Sequence, residues 1–211
     1  MPTTIDYYFA AQSPWTYLGH ARFVRLAQDA SATVRVLPAD FGHVFSVSGG
    51  LPLAQRAQQR QAYRLIELRR FSEWLGMPMN VQPKFFPVQP DAASKLIIAV
   101  EQADGSAAAL DIAGRVFAAC WQQQRDIADA ATLATLLAES GLPAVRLAES
   151  QQVAAAERYA VNTAAAIAAG VFGAPSYVID GEVFWGQDRL DFVGRRLDSN
   201  RQASSRSNGR C

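Results

Sequence analysis

The alternation of apolar and polar residues predicts strands near both ends of the chain and helices between them. The segment 5–9 (IDYYF) is β-prone, and 33–37 (TVRVL) alternates with a period close to two, as half-buried strands do. The residues between these segments have apolar positions at helical spacing, and 16–29 is long enough for a crossover helix. We therefore expect a parallel β-α-β unit at the start of the chain.

The clearest strand signal lies towards the other end of the chain. Two β-prone runs, 177–179 (YVI) and 183–185 (VFW), flank the dipeptide Asp180-Gly181, which favours a two-residue hairpin turn. We expect a short helix over 188–197 after this hairpin. The polar residues 199–211 are expected to be disordered.

The middle of the chain predicts a block of helices. Apolar residues at three- and four-residue spacing indicate a long helix over 53–75, and Gly76 and Pro78 mark its end. Signals over 41–50 are weak, and we expect the segment 46–52 (SVSGGLP) to be a loop. Further alanine-rich helices are expected over 91–103, 107–124, 129–140 and 150–169.

The order of these elements predicts the fold class. Without the helical block, the chain reads β-α-β followed by β-β-α, which is the order in a thioredoxin fold. We therefore expect an α/β, thioredoxin-like fold with a large all-helical insertion between its two halves. The thioredoxin-like domain would be discontinuous, over 1–43 and 165–198, with the insertion over 44–164 and a tail over 199–211.

Composition narrows the possible partners and the compartment. The chain has 211 residues, half of them apolar, and a formal net charge of +1, which gives no strong attraction to nucleic acid or to a membrane surface. No apolar run has the length of a membrane span, and the first residues lack the basic region of a signal peptide, so we expect a cytoplasmic protein. Cys120 and Cys211 form neither a disulfide framework nor a CxxC pair, and no metal site is expected.

The first candidate for chemistry is the sequence Ser13-Pro14-Trp15-Thr16, which opens the first predicted helix. Unpaired N–H groups and the positive end of the helix dipole stabilise an anion at such a position, including a thiolate. A dithiol oxidoreductase would carry two cysteines here, whereas Ser13 and Thr16 cannot form a disulfide. Ser13 is therefore either a hydroxyl donor at this position or only an N-cap followed by proline.

Two further stretches lie beside the predicted hairpin. Pro175 precedes the third strand, and its sequence context is equally that of a loop proline at the start of a strand. Asp188 begins the last predicted helix, where its carboxylate can serve as an N-cap or can hold the ammonium group of a ligand.

Taken together, these stretches resemble the kappa-class glutathione transferases and, more closely, the bacterial 2-hydroxychromene-2-carboxylate isomerases, which are DsbA-like members of the thioredoxin superfamily. The resemblance covers the chain to about residue 197. It lies in YYFAAQSPWTYLG (7–19), LRRFSEWLGMP (68–78) and VFGAPSYVIDGEVFWGQDRL (171–190).

The resemblance implies a site for glutathione. It implies a cis proline at Pro175 that faces the start of the Ser13 helix, and pairing of the Ala174 backbone with the bound tripeptide. Gln187 and Asp188 would hold its γ-glutamyl end, and Ser13 would hydrogen-bond its sulfur. One departure is that the family offers an asparagine in the loop before the long helix, where this chain has Ser48-Gly49-Gly50-Leu51-Pro52.

The resemblance also implies a function. This is a glutathione-dependent isomerisation of 2-hydroxychromene-2-carboxylate, or of a similar aromatic-degradation intermediate, by thiolate addition, bond rotation and elimination. Glutathione would be the cofactor, a small aromatic carboxylate the substrate, and the protein a homodimer. The alternatives are a kappa-like glutathione transferase and a non-catalytic glutathione- or peptide-binding module on a redox-inactive scaffold.

The remaining candidates concern the substrate. Trp15, Phe172 and Trp185 could form an aromatic wall, and Lys84 could meet a substrate carboxylate or serve only its loop. Other residues are interpreted as structural: Cys120 as a core thiol, His20 as a helix-surface residue, and Arg64, Arg69 and Arg70 as a solvated helix face, with anionic-substrate binding as the alternative for these arginines.

Overall fold

The computed structural model describes residues 3–208, and its centre is a mixed four-stranded sheet. The strands are β1 (Thr4–Phe9), β2 (Thr33–Pro38), β3 (Ser176–Ile179) and β4 (Glu182–Trp185), in the spatial order β2-β1-β3-β4. β1 runs parallel to β2, whereas β3 is antiparallel to β1 and β4. The predicted β-α-β unit and the hairpin are thereby confirmed, as is the thioredoxin-like fold class.

Helices surround the sheet and fill the segment between its two halves. They are α1 (Pro14–Asp29), α2 (Phe41–Ser48), α3 (Gln58–Leu75), α4 (Asp91–Asp104), α5 (Ser106–Trp121), α6 (Ala130–Glu139), α7 (Val145–Ser150), α8 (Val153–Ala168) and α9 (Leu190–Asn208). Two 3₁₀ turns lie at Leu53–Gln55 and Gln187–Arg189. In this described part of the chain, we find no helix with both the length and the apolar character that crossing a bilayer requires.

Helix α2 occupies residues 41–48, where the sequence signals are weak. The loop expected over 46–52 is therefore wrong for 46–48, whereas 49–52 are not helical. The Asp40 side chain accepts hydrogen bonds from the backbone N–H groups of Gly42 (2.8 Å) and His43 (3.2 Å) and so caps the helix. Gly49 ends it in the left-handed conformation, with φ of 77°. Two capping residues therefore define a short helix whose apolar pattern is weak.

The chain after residue 197 is also helical, because α9 continues to Asn208. The prediction of a disordered tail is wrong for residues 199–208, and 209–211 lie outside the described residues. No glycine or proline interrupts this stretch, so its polar composition does not stop the helix. Arg201 pairs with Asp198 one turn earlier, and the amide of Asn200 donates to Asp180 at 2.9 Å, which ties the extension to the hairpin.

Helix α8 joins the helical segment back to the sheet. Asn162 donates to the backbone oxygen of Pro38 at 3.2 Å, and the backbone N–H of Asp40 donates to the Thr163 hydroxyl at 2.9 Å. The domain boundaries expected at 43/44 and 164/165 fall inside α2 and α8, and the division into two domains stays a prediction. The helix expected over 150–169 is confirmed as α8, which begins at Val153, because Ser150 ends α7 rather than capping α8.

The core between the sheet and α1, α4 and α5 is strongly aromatic, and His20 is part of it. His20 is only 7% exposed, so its interpretation as a surface residue is wrong. Its Nε2 donates to the Leu110 backbone oxygen at 2.9 Å, which leaves Nδ1 to accept from the Tyr7 hydroxyl at 3.2 Å. Burial lowers the pKa of His20 to about 4, because the charged imidazolium would lose its hydration.

Candidate active site

The start of α1 is built around Ser13. Its backbone is extended, its Oγ accepts from the Thr16 N–H at 3.3 Å, and Pro14 occupies the first helical position. Ser13 is therefore an N-cap, as one of the two interpretations holds. The cap uses a lone pair of Oγ and not its proton, so the half-buried hydroxyl can still donate to an acceptor outside the protein.

Thr16 places a second hydroxyl one turn into the helix. The residue is fully buried, and its Oγ1 has no hydrogen-bond partner among the described residues. Its sequence position matches that of the second cysteine in a CxxC motif, but nothing in the local pattern predicts an unpaired hydroxyl here. The opening turn of α1 thus carries two hydroxyl groups and no thiol.

The loop before β3 lies beside this turn. Tyr8 is paired with Ser176, so the next residues along each strand, Phe9 and Pro175, lead into the Ser13 turn and the β3 loop side by side. The Ala174–Pro175 peptide bond is cis, as the resemblance implies, and the Pro175 oxygen accepts from the Gly186 N–H at 2.9 Å. Within the described residues, the backbone N–H and C=O of Ala174 pair with no other group, and they are therefore available to an extended ligand.

An exposed aromatic pair borders the same loop. The rings of Phe172 and Trp185 lie with centroids 4.8 Å apart, and the two residues are 45% and 49% exposed. A Cβ at Gly173 would overlap the Trp185 indole nitrogen, so the indole packs directly on the backbone of the loop. Trp15 lies elsewhere, edge-on to Phe71 of α3 at 5.9 Å. The structure thus brings two of the three predicted wall residues into contact.

The two residues predicted to hold the γ-glutamyl group have different environments. Gln187 is 2% exposed, and both its backbone oxygen (3.0 Å) and its Oε1 accept from Arg22 of α1. Gln187 is thus largely enclosed, and its side chain is held by Arg22. Asp188 is exposed, folds back over Gly186 and pairs with Arg189 at 2.6 Å. The carboxylate of Asp188 therefore remains accessible to an ammonium group.

Helix α3 and the loop after it face the start of α1 from the helical segment. The Tyr17 hydroxyl donates to the Pro78 oxygen at 2.6 Å, next to the Trp15–Phe71 contact. Lys84, in the following loop, is exposed, with its Nζ 5.0 Å from the centroid of its neighbour Phe85. A role for Lys84 towards a substrate carboxylate stays a prediction.

The three arginines of α3 do not share one environment. Arg69 is exposed and Arg70 pairs with Glu67 at 2.7 Å, so the interpretation as a solvated face is confirmed for these two. It is wrong for Arg64, whose guanidinium is half-buried against the rings of Phe86 (5.2 Å) and Trp121 (5.7 Å).

The loop 48–52, where the family's asparagine is missing, is packed rather than open at its centre. Gly50 lies against the ring of Phe45 with no room for a Cβ, and the Leu51 oxygen accepts from Arg56 at 2.8 Å. A contact between this loop and glutathione stays a prediction.

Cys120 has no role in this site. It is buried, as predicted, and burial raises the pKa of its thiol to about 12, so the thiol stays protonated at neutral pH. Cys211 lies outside the described residues. The opening turn of α1 also lacks cysteine, and a dithiol mechanism there has no sulfur to use.

Comparison with known proteins agrees with this geometry. A family model described as a DSBA-like thioredoxin domain matches residues 4–198. The 2-hydroxychromene-2-carboxylate isomerase of Pseudomonas putida is 31% identical and aligns over 95% of this chain and 99% of its own. The enzyme of the same name from Sphingobium xenophagum is 27% identical over 92% and 97%.

Solved structures show the same relationship. The structure of a 2-hydroxychromene-2-carboxylate isomerase superposes with a TM-score of 0.78 at 27% identity, covering 98% of both chains. The cytosolic disulfide reductase DsbM of Pseudomonas aeruginosa, at 18% identity and a TM-score of 0.67 over 96% and 98%, shares the fold. From the span of the family model and from these relatives, we conclude that the chain belongs to the DsbA-like thioredoxin family.

Proposed function

We propose that the protein is a glutathione-dependent isomerase acting on 2-hydroxychromene-2-carboxylate or a similar intermediate of aromatic degradation. The observation that carries the proposal is the Ser13 hydroxyl, which caps α1 beside the cis-Pro175 loop and leaves its proton unused. The names of the relatives, which match almost the whole chain, support an isomerase. The absence of thiols in the opening turn of α1 argues against disulfide chemistry.

The residues of the site fit glutathione in three places. The unpaired backbone of Ala174 would pair with the cysteinyl backbone of the tripeptide, as strand ends do with extended peptides. The accessible Asp188 carboxylate would hold the γ-glutamyl ammonium group. The Ser13 hydroxyl would donate to the sulfur. Gln187 would contribute little direct contact, since it is 2% exposed and its oxygens already accept from Arg22.

Bound glutathione would supply a thiolate nucleophile that can add to a conjugated carbon and leave again. The task of the protein is to keep that sulfur ionised, because a free thiol is only a few per cent thiolate at neutral pH. Lowering a pKa by one unit requires about 1.4 kcal/mol of differential stabilisation. A hydrogen bond from Ser13 to a charged sulfur, together with the N-terminus of α1, can supply this amount.

The aromatic pair would hold the ring system of the substrate. Phe172 and Trp185 present apolar surface next to the Ala174 backbone, and a flat substrate can stack on such rings. Packing of this kind excludes water from the reacting atoms, which strengthens the interaction of Ser13 with the sulfur.

An assay with purified protein, 2-hydroxychromene-2-carboxylate and glutathione in less than equimolar amount tests the proposal. We expect a change in ultraviolet absorbance that depends on glutathione, goes to equilibrium and leaves the free thiol concentration unchanged. Consumption of glutathione with an aryl electrophile, without isomerisation, would favour the transferase. Binding of glutathione without any turnover would favour the non-catalytic module. The expected homodimer and cytoplasmic location stay predictions.

A further inference from the structure

Arg64 is a half-buried cation without a counter-ion. Its guanidinium carbon lies 5.2 Å from the ring centre of Phe86 and 5.7 Å from that of Trp121. Among the described residues it makes no hydrogen bond and no ion pair. Charged side chains that leave water are normally paired, and the aromatic faces offset only part of the lost hydration.

The charges around Arg64 are of its own sign. Arg56 and Arg60 precede it at four-residue spacing, and no described carboxylate pairs with any of the three. Glu67, one turn further along α3, is engaged by Arg70. Burial and the charge of Arg56 lower the pKa of Arg64 to about 10, which leaves it fully cationic at neutral pH. This side of α3 is therefore positive and not neutralised.

The position of Arg64 relates it to the candidate active site. Arg64, Leu68 and Phe71 lie on one face of α3, because residues four and seven apart are stacked on a helix. Phe71 contacts Trp15 in the first turn of α1. Arg64 lies two turns before Phe71, or roughly 10 Å along the helix axis. The Trp15–Phe71 contact thus links the face of α3 that carries Arg64 to the first turn of α1.

Trp121 adds an unpaired donor beside this cation. The indole is fully buried, and its Nε1 has no hydrogen-bond partner in the described part of the chain. Phe86 lies against the same indole, at 4.8 Å. Because the whole indole is buried, this N–H is closed to a ligand in the structure. The Arg64 guanidinium, which has no acceptor and is bordered by two aromatic rings, is the group that matches the chemistry of an aromatic carboxylate.

We propose that Arg64, with Phe86 and Trp121, forms a carboxylate-binding subsite that fixes one end of the substrate. The inference rests on the proposed function, because that function supplies an aromatic carboxylate as substrate. The same chemistry would also suit the glycine carboxylate of glutathione, so the shared ligand group is a carboxylate. Arg64 is then a specificity-determining residue, separate from Ser13.

Calorimetric titration with chromone-2-carboxylate and with neutral chromone tests the subsite without any turnover. We expect the wild-type protein to bind the carboxylate about tenfold or more tightly than chromone, as a charge-assisted hydrogen bond provides. Arg64→Gln should abolish this preference and Arg64→Lys should keep part of it. The control is Arg69→Gln, which removes an equal charge from an exposed position of the same helix. An unchanged preference in Arg64→Gln together with unchanged glutathione binding, or an equal loss in Arg69→Gln, would overturn the proposal.

A second pair of ligands separates the two sources of the carboxylate. If Arg64 holds glutathione, Arg64→Gln should weaken glutathione binding but not the binding of glutathione amidated at its glycine. If Arg64 holds the substrate, each of the two peptides should bind Arg64→Gln as tightly as it binds the wild-type protein. Only the binding of chromone-2-carboxylate should then be weaker in the variant.

A measurement on the wild-type protein tests the subsite even if the variants fail to fold. Modification of arginines by phenylglyoxal, mapped by mass spectrometry, should be slowed at Arg64 and not at Arg69 by chromone-2-carboxylate. Equal rates at Arg64 with and without the carboxylate would contradict the subsite.

Carboxylate binding at Arg64 without isomerase activity would sustain this inference while removing the proposed function. Isomerase activity that does not depend on Arg64 would do the reverse.

Discussion

In the sheet-bearing half of the molecule, Arg22 of α1 is half-buried and donates to both oxygens of Gln187. In the helical segment, Arg64 of α3 is also partly buried and faces two aromatic rings without an acceptor. The first arginine joins α1 to the turn after β4 and is part of the scaffold. The second contributes nothing comparable to the fold. Under the proposed function, the sheet-bearing half would hold the reacting sulfur and the helical segment would select the substrate.

The largest expected effect is on catalysis at the start of α1. Ser13→Ala should lower kcat by about 10²–10³-fold, the range seen when one donor to a developing anion is removed. It should also raise the pKa of bound glutathione, measured by the ultraviolet absorbance of the thiolate. The control is Asp129→Ala, which removes a comparable N-cap from α6, where Asp129 accepts from the Thr132 N–H at 2.8 Å. Both variants should lose about 1 kcal/mol of stability, and only the first should lose activity.

The next effect concerns the packing of the sheet-bearing half against α5, through His20. Its pKa is about 4 when folded and about 6.5 when unfolded. Between these values the unfolded chain binds more protons, so the free energy of unfolding should fall by about 3 kcal/mol as pH drops from 6.5 to 4.

Urea denaturation at several pH values measures the His20 contribution. His20→Gln should flatten the dependence in this window, whereas His43→Gln, in exposed residues of α2, should leave it intact. A wild-type curve with no slope between pH 6.5 and 4 would show that His20 is not buried in its neutral form.

Replacing the two half-buried arginines by leucine tests the comparison directly. Arg22→Leu should lower the free energy of unfolding by about 2 kcal/mol, because it leaves the buried Gln187 oxygens without a donor. Arg64→Leu should leave this free energy unchanged or raise it, since it removes an unpaired charge from an aromatic surface. Equal destabilisation by the two substitutions, in urea titrations at neutral pH, would break the distinction between scaffold and subsite.

The smallest effect is expected at the aromatic pair. Gly173→Ala would push the Trp185 indole off the cis-Pro175 loop, so KM for the substrate should rise a few-fold, about 1 kcal/mol. Gly194→Ala, on α9, serves as a control because its new methyl group meets only the flexible end of Leu26. If steady-state kinetics gave the same KM for wild type and Gly173→Ala, the pair would have no part in substrate binding.

Much of the fold could be predicted because its signals are local. The Asp180-Gly181 turn and the alternation in 33–37 specify the hairpin and β2 from adjacent residues. Helix α2 could not be predicted, because its start depends on one capping carboxylate, Asp40, rather than on a periodic pattern. The extension of α9 could not be predicted, because its polar composition is typical of disordered segments, although no residue in 199–208 breaks a helix.

Residues of the candidate site could likewise be predicted only where their signals are local in the sequence. The position of Ser13 follows from a proline at the first helical position, whereas the cis bond at Pro175 could be expected only from the family resemblance, since cis X-Pro bonds are uncommon. Arg64 could not be assigned correctly, because its environment is made by Phe86 and Trp121, which are distant in the chain. The contact of Arg22 with Gln187 is hidden for the same reason.

The bonds of Asn162 and Thr163 to the end of β2 have an evolutionary consequence. The chain leaves the sheet at Asp40 and returns beside it at Asn162 and Thr163. The segment between these residues is therefore a long insertion whose two ends are joined by hydrogen bonds. The entropic cost of closing such an insertion grows only slowly with its length. Helical turns inside it can therefore be added, removed or replaced while the hydrogen bonds at its ends are kept. New substrate preferences can arise there without disturbing the start of α1 or the cis-Pro175 loop.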